Sequence, residues 1–121
     1  MTLSLTFDSG AVVIAGGSGG LGEGIARRFA ETGLPVVITY HSNARKAAAI
    51  QADIEATGGR CESLRVDLAK PDEVNALFAD VAARHGRIAH VVYAAGPHFE
   101  FNFIGSIPDQ EWHHVVNADI N

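Results

Sequence analysis

Between Ile14 and Ala30 the chain reads IAGGSGGLGEGIARRFA: an apolar run, then glycines at 16, 17, 19, 20, 22 and 24, then helical spacing. Backbone stripped of side chains lets peptide N–H groups approach a bulky anion, and the partial positive charge at a helix start favours the anion there. Two spacings fit at once. Gly17, Gly19 and Gly22 match G-x-G-x-x-G, while Gly16, Gly20 and Gly22 match G-x-x-x-G-x-G. Strand, loop and helix follow in the order that a pyrophosphate cradle needs. A glycine-rich turn made only for close packing is the competing explanation. No Gly-Lys-Ser/Thr follows, which argues against a P-loop. Among the remaining groups, His85, His90, His98 and the adjacent His113 and His114 lack metal-ligand spacing, so no metal is expected. The single cysteine, Cys61, reads as a small apolar strand residue and excludes an internal disulfide.

Such a loop works only if a sheet holds it. Ala11 to Ala15 (AVVIA), Pro35 to Tyr40 (PVVITY), Cys61 to Val66 (CESLRV) and Ile88 to Tyr93 (IAHVVY) are short runs rich in β-branched residues. Longer segments of helical spacing separate them. The first helix places Leu21, Ile25 and Phe29 four apart and ends at Thr32-Gly33. The second is expected from about Asn43 to Thr57, before Gly58-Gly59. The third opens with Pro71-Asp72-Glu73 and carries Val74, Leu77, Phe78 and Val81 on one face up to Gly86. A fourth begins near Ser106-Ile107-Pro108-Asp109, with Ser106 as cap and Pro108 in the first turn, and runs through Trp112, Val116 and Ile120. Strand and helix alternate four times. The expected fold is an α/β, Rossmann-like doubly wound parallel sheet in the order 3-2-1-4, with helices on both faces.

With 121 residues and 47% hydrophobic content, the chain supports one globular core over residues 1–121. A net charge of -5, with nine scattered Lys and Arg, argues against nucleic acid or an anionic membrane as partner and leaves a small molecule. The start MTLSLTFDSG has neither a basic leader nor a long apolar run, and a cytoplasmic location is expected.

Four features in register resemble the N-terminal half of the short-chain dehydrogenase/reductase family: GGSGGLG (Gly16 to Gly22), VDLA (Val66 to Ala69), VVYAAG (Val91 to Gly96) and EWHHVVNADIN (Glu111 to Asn121). The nearest group in character is the 3-oxoacyl-carrier-protein reductase-like members, through TYHSNARKA and the spacing from Trp112 to Asn117. The resemblance implies that Ser18, Gly19, Gly20, Leu21 and Gly22 surround a dinucleotide pyrophosphate, with Gly16 making the turn. Asp67, with Leu68 beside it, would accept from the adenine amino group. Ala94, Ala95 and Gly96 would lie against the adenosine ribose. Asn117 matches an asparagine that helps hold a water in the family's proton relay. His98, Phe99, Phe101 and Phe103 would border the substrate pocket. Two departures stand out: Ala15 where the family has Thr, and Tyr93-Ala94 where it has Asn-Asn. Both fall at neighbouring strand ends, so packing is expected to replace polar pinning there.

NAD preference generally rests on an acidic residue about 20 positions past the glycines. None is present; Tyr40, His41, Ser42, Asn43 and Arg45 supply hydroxyl, amide and cationic groups suited to a 2′-phosphate. NADP is therefore the expected cofactor, with NAD as the alternative. The family reduces or oxidises carbonyl and alcohol substrates with a Tyr-x-x-x-Lys pair. Tyr40 is followed four on by Ala44 and Tyr93 by Pro97, and the lysines are Lys46 and Lys70. The chain is thus expected to be a piece truncated before strand five, inactive alone, from an oxidoreductase that is a tetramer or dimer when complete. The alternative is a non-catalytic dinucleotide-binding or interaction module.

Overall fold

The computed structural model describes residues 3–96 and 104–119. Four strands, β1 (Ala11–Ala15), β2 (Val36–Tyr40), β3 (Cys61–Arg65) and β4 (Ile88–Tyr93), alternate with α1 (Gly20–Ala30), α2 (Ala44–Ala56) and α3 (Pro71–His85). A short 3-10 turn (Ile104–Ser106) and α4 (Asp109–Asp119) follow. All the strand pairs are parallel and the order is β3-β2-β1-β4, as the alternation predicts. Register runs Val13↔Val37 and Val13↔Val91 across the central strand, and Tyr40↔Arg65 at the far end of β3. One irregularity interrupts β1 and β4: Ala11 pairs with Ile88 but Val12 pairs with His90, so Ala89 is an extra residue in β4.

β1 is buried along its whole length because helices cover both faces of a parallel sheet. On one face Val12, Ile14, Val36 and Ile38 meet Ala26 and Ala30 of α1 and Ala47, Ile50 and Ile54 of α2. On the other, Ala11, Val13 and Val37 meet Leu77 and Val81 of α3, with Val74 and Phe78 alongside, as the spacing predicts. Cys61 is buried in the first cluster, and burial pushes its thiol up from 9.0 to about 11.

Two helices differ from the reading of their sequence. In α1 the buried stripe is Gly22, Ala26 and Ala30; Ile25 and Phe29 flank it, and Leu21 is 74% exposed. Small residues four apart let the helix sit close to the strands, so large apolar side chains are displaced to its margins. In α4 the Pro108 carbonyl accepts from Trp112 N–H at 3.1 Å, which places Pro108 before the first turn, and Ser106 belongs to the 3-10 turn. Ile120 lies outside the described residues. No helix among the described residues is long and apolar enough to cross a membrane.

Candidate functional site

The loop from β1 to α1 is built from contacts that forbid side chains. Gly16 has φ +78°, and a Cβ there would lie 2.6 Å from the Ala95 backbone. A Cβ on Gly17 would stand 2.5 Å from Ile38, and one on Gly22 would run into the Gly16 carbonyl. These three glycines answer to the chain's own packing. Gly20 does not: its φ is not positive, and a Cβ would meet nothing within 4 Å. Gly19 N–H donates to Gly16 O at 3.0 Å and Glu23 N–H to Gly19 O at 2.8 Å, which starts α1. Gly19 has no side chain to cap the helix, so the first-turn N–H groups remain available at the strand ends.

The loop is pinned from β2. Gly16 N–H donates to Thr39 Oγ1 at 3.0 Å, and Thr39 is 1% exposed. Ala94 N–H donates to Ala15 O at 2.8 Å. The ends of β1 and β4 are thus joined through backbone, while the hydroxyl that pins the loop comes from Thr39 of β2. Sequence reasoning passed over Thr39, although a lone polar residue inside VVITY is the signal that marks it.

A cleft of about 560 Å³ opens at the carboxyl ends of the strands, within the range of small-ligand pockets. It brings together Gly16, Ser18 and Gly19; Tyr40, His41, Ser42 and Asn43; Asp67 and Leu68; Ala94, Ala95 and Gly96; and Asn117. Gly20, Leu21, Gly22 and Arg45 are not among its lining residues. Thr39, Val66, Ala69, Tyr93 and His114 also line it and were not singled out as site residues. His114 and Asn117 share one wall because they lie one turn apart on α4. His98, Phe99, Phe101 and Phe103 lie outside the described residues.

Local hydrogen bonds prepare the far end of the cleft. Asn43 caps α2, its Oδ1 accepting from Lys46 N–H at 3.1 Å. Asp67 Oδ1 accepts from Ala69 N–H at 3.0 Å, a turn that fixes the carboxylate. Its other oxygen lies 3.9 Å from both His41 Nε2 and Lys70 Nζ. Asp67 is therefore a turn former and a cleft acceptor together, with its side chain 25% exposed. Among the described residues no three His, Cys, Asp or Glu side chains gather to hold a metal ion.

A glycine loop at the end of β1, helices on both faces and a cleft across the strand ends define a dinucleotide-binding class of fold. The chain belongs to the short-chain dehydrogenase family, whose family model matches residues 10–121. It is 30% identical over 115 residues to a 3beta-hydroxysteroid dehydrogenase of Mediterraneibacter gnavus, covering 95% of this chain and 41% of that protein. It is 29% identical over 110 residues to the 3-oxoacyl-(acyl-carrier-protein) reductase of Staphylococcus epidermidis, covering 91% and 45%. Among solved structures, a metagenomic short-chain oxidoreductase in complex with NADP superposes with a TM-score of 0.80 at 31% identity, over 90% of this chain and 49% of that one. A short-chain type dehydrogenase/reductase from Mycobacterium ulcerans gives 0.87 at 28% identity, over 97% and 43%. The chain spans under half the length of each of these relatives.

Proposed function

We propose that this chain is the cofactor-binding half of an NADP-dependent oxidoreductase that moves a hydride between nicotinamide and a small carbonyl or alcohol, in the manner of a 3-oxoacyl reductase. The observation that carries the reading is the cleft at the strand ends, which sets Gly16, Ser18 and Gly19 beside the uncapped start of α1 and gathers Asp67 and Ala94 to Gly96 with them. Gly20, at that helix start, has open space where a Cβ would stand, so a bulky side chain there would reach only an external occupant. The cleft residues fit a dinucleotide in size and chemistry. When bound, the nicotinamide supplies or accepts the hydride.

The chain's own residues hold that group. Available N–H groups at the start of α1, with Ser18 and Gly19 at the cleft, face the pyrophosphate. Asp67 accepts from the adenine amino group, with Leu68 beside the ring. Ala94, Ala95 and Gly96 leave room for the adenosine ribose. The stretch from Tyr40 to Asn43, with Arg45 just inside α2, meets the 2′-phosphate, and no carboxylate at the end of β2 repels it. The resemblance assigns Asn117 the water of the proton relay, and its place on the cleft wall is compatible with that.

The acid–base pair is not supplied by residues 1–121, because neither Tyr40 nor Tyr93 has a lysine four positions on. Residues 1–121 alone are expected to give no turnover. The complete protein works as a homo-oligomer, and the exposed Val91, Tyr93 and Trp112 are apolar surface for further contacts. The test is Gly20→Leu, followed by titration with NADPH and NADH. Loss of binding with unchanged unfolding supports the reading; normal affinity for both overturns it.

A further inference from the structure

The segment ahead of β1 has no part in the cleft. Leu3, Leu5 and Phe7 are 82%, 71% and 45% exposed, and Ser4 and Thr6 between them are exposed as well. Single apolar residues on a surface are ordinary, but these three fall within five positions. Alternation of this kind puts apolar side chains on one side of an extended segment and hydroxyls on the other. Phe7 anchors the segment to the fold. Its ring stands edge-on to Phe29 of α1 and to His90 of β4, with ring centroids 5.7 Å apart in both pairs. The backbone from Leu3 to Ser9 belongs to no helix or strand, and among the described residues nothing hydrogen-bonds to it. The family model begins its match at residue 10, so the shared fold does not account for this pattern.

We propose that Leu3 to Phe7 is one half of an intermolecular strand pair whose other half is the same segment of a second copy. The pattern is self-complementary. Paired antiparallel about Leu5, it sets Leu3 opposite Phe7, Leu5 opposite its own copy and Ser4 opposite Thr6, so apolar meets apolar and hydroxyl meets hydroxyl. Charge selects that direction. Leu3 to Phe7 carries no charged side chain in a chain of net charge -5, and Asp8 follows directly. A parallel pair would set the two Asp8 carboxylates side by side, whereas the antiparallel pair holds them six residues apart along the ladder, about 20 Å at about 3.4 Å per residue. That separation exceeds the screening length of about 8 Å at physiological salt. Both copies use the same surface about a two-fold axis, the commonest symmetry of homo-oligomers. Three side chains and a short ladder bury far less than the roughly 800 Å² per partner of a standard interface, so the pair is weak and depends on concentration. None of this draws on the cofactor reading.

The experiment is sedimentation velocity of the full chain from about 10 μM to about 1 mM, in the wild type, Leu5→Asp, Leu5→Lys and an equimolar mixture of the two variants. Leu5 is exposed, so neither substitution touches the core, and urea unfolding checks that both variants keep the wild-type stability. The wild type is expected to associate reversibly. Each variant alone opposes like charges at the two-fold axis and should weaken association about tenfold. In the mixture a carboxylate faces an ammonium, and association should return. A wild type that stays monomeric throughout, variants that associate as the wild type does, or a mixture no stronger than its components overturns the strand pair. Each of those results leaves the cofactor reading intact.

Discussion

Replacing Thr39 with valine separates shape from hydrogen bonding at the base of the glycine loop. Valine keeps the branched outline of threonine in a site that is 1% exposed, so packing in the middle of the sheet should change little. What is lost is the acceptor for Gly16 N–H, now 3.0 Å from Thr39 Oγ1. A partly buried amide left without a partner costs at most roughly 1–3 kcal/mol. For a domain of this size each kcal/mol moves Tm by about 3–5 °C, so Thr39→Val should melt roughly 3–15 °C below wild type. Thr39→Ser keeps the oxygen and gives up one methyl, for about 1 kcal/mol. Urea unfolding of the three proteins supplies the stabilities, and NADPH titration supplies the functional reading. Dinucleotide affinity should fall further in the valine variant, because the released Gly16 no longer holds the turn against Ala95. If the serine variant proves the less stable of the two, the hydrogen bond is not what secures the loop, and the account of Thr39 fails.

Gly22→Ala forces a methyl against the Gly16 carbonyl and should cost about 1–3 kcal/mol, whereas Gly24→Ala, in the same helix with nothing within 4 Å, should gain about 0.5–1 kcal/mol; equal effects in urea titrations would contradict the packing of α1. Cys61 should resist iodoacetamide near neutral pH until the protein unfolds. Because its folded thiol is raised from 9.0 to about 11, its contribution to stability is whole below about pH 9 and is lost as pH rises towards 11; rapid labelling of native protein near pH 8 would refute this. Arg84 bridges Glu62 at 2.6 Å and Asp80 at 2.8 Å on an exposed surface, so Arg84→Ala should lower stability only slightly in urea titrations, and the difference should shrink at high salt.

Runs such as AVVIA and IAHVVY are visible in the sequence because β-branched residues crowd into strands and because covered strands need no polar alternation. Their observed bounds, Ala11–Ala15 and Ile88–Tyr93, coincide with the sequence reading. Gly33, Gly58 and Gly86 follow their helices with positive φ, a requirement that composition reveals directly. Leu21 misled because helical spacing records which residues share a face, not how near the neighbouring sheet comes. Gly22 decides that distance. Thr39 was hidden because its partner is a backbone amide 23 positions away. The cleft residues from Tyr40 to Asn43 and from Ala94 to Gly96 were readable through motifs. His114 was not, because its place depends on how α4 lies across the strand ends.

Ala89 gives β4 a change of parity. Before it, Ile88 belongs to the layer packed on α3; after it, His90 stacks near Phe29 of α1, and Val92 and Ala94 join that second layer. Residues 88 and 90 would share one face in an uninterrupted strand, and the extra residue lets them serve opposite ones. Counting along β4 therefore carries information that residue identity does not. Removing Ala89 would leave Ile88 and His90 as consecutive residues on opposite faces, paired with Ala11 and Val12 as they are now, so the ladder would become regular and the phase of Val91 to Tyr93 would be kept. Changing Ala89 to another small residue would leave the phase untouched. The interval between Gly86 and Gly96 thus behaves like a reading frame with one silent letter: loss of Ala89 leaves the cleft wall in phase, whereas loss of one residue from the regular run Val91 to Tyr93 would rewrite it.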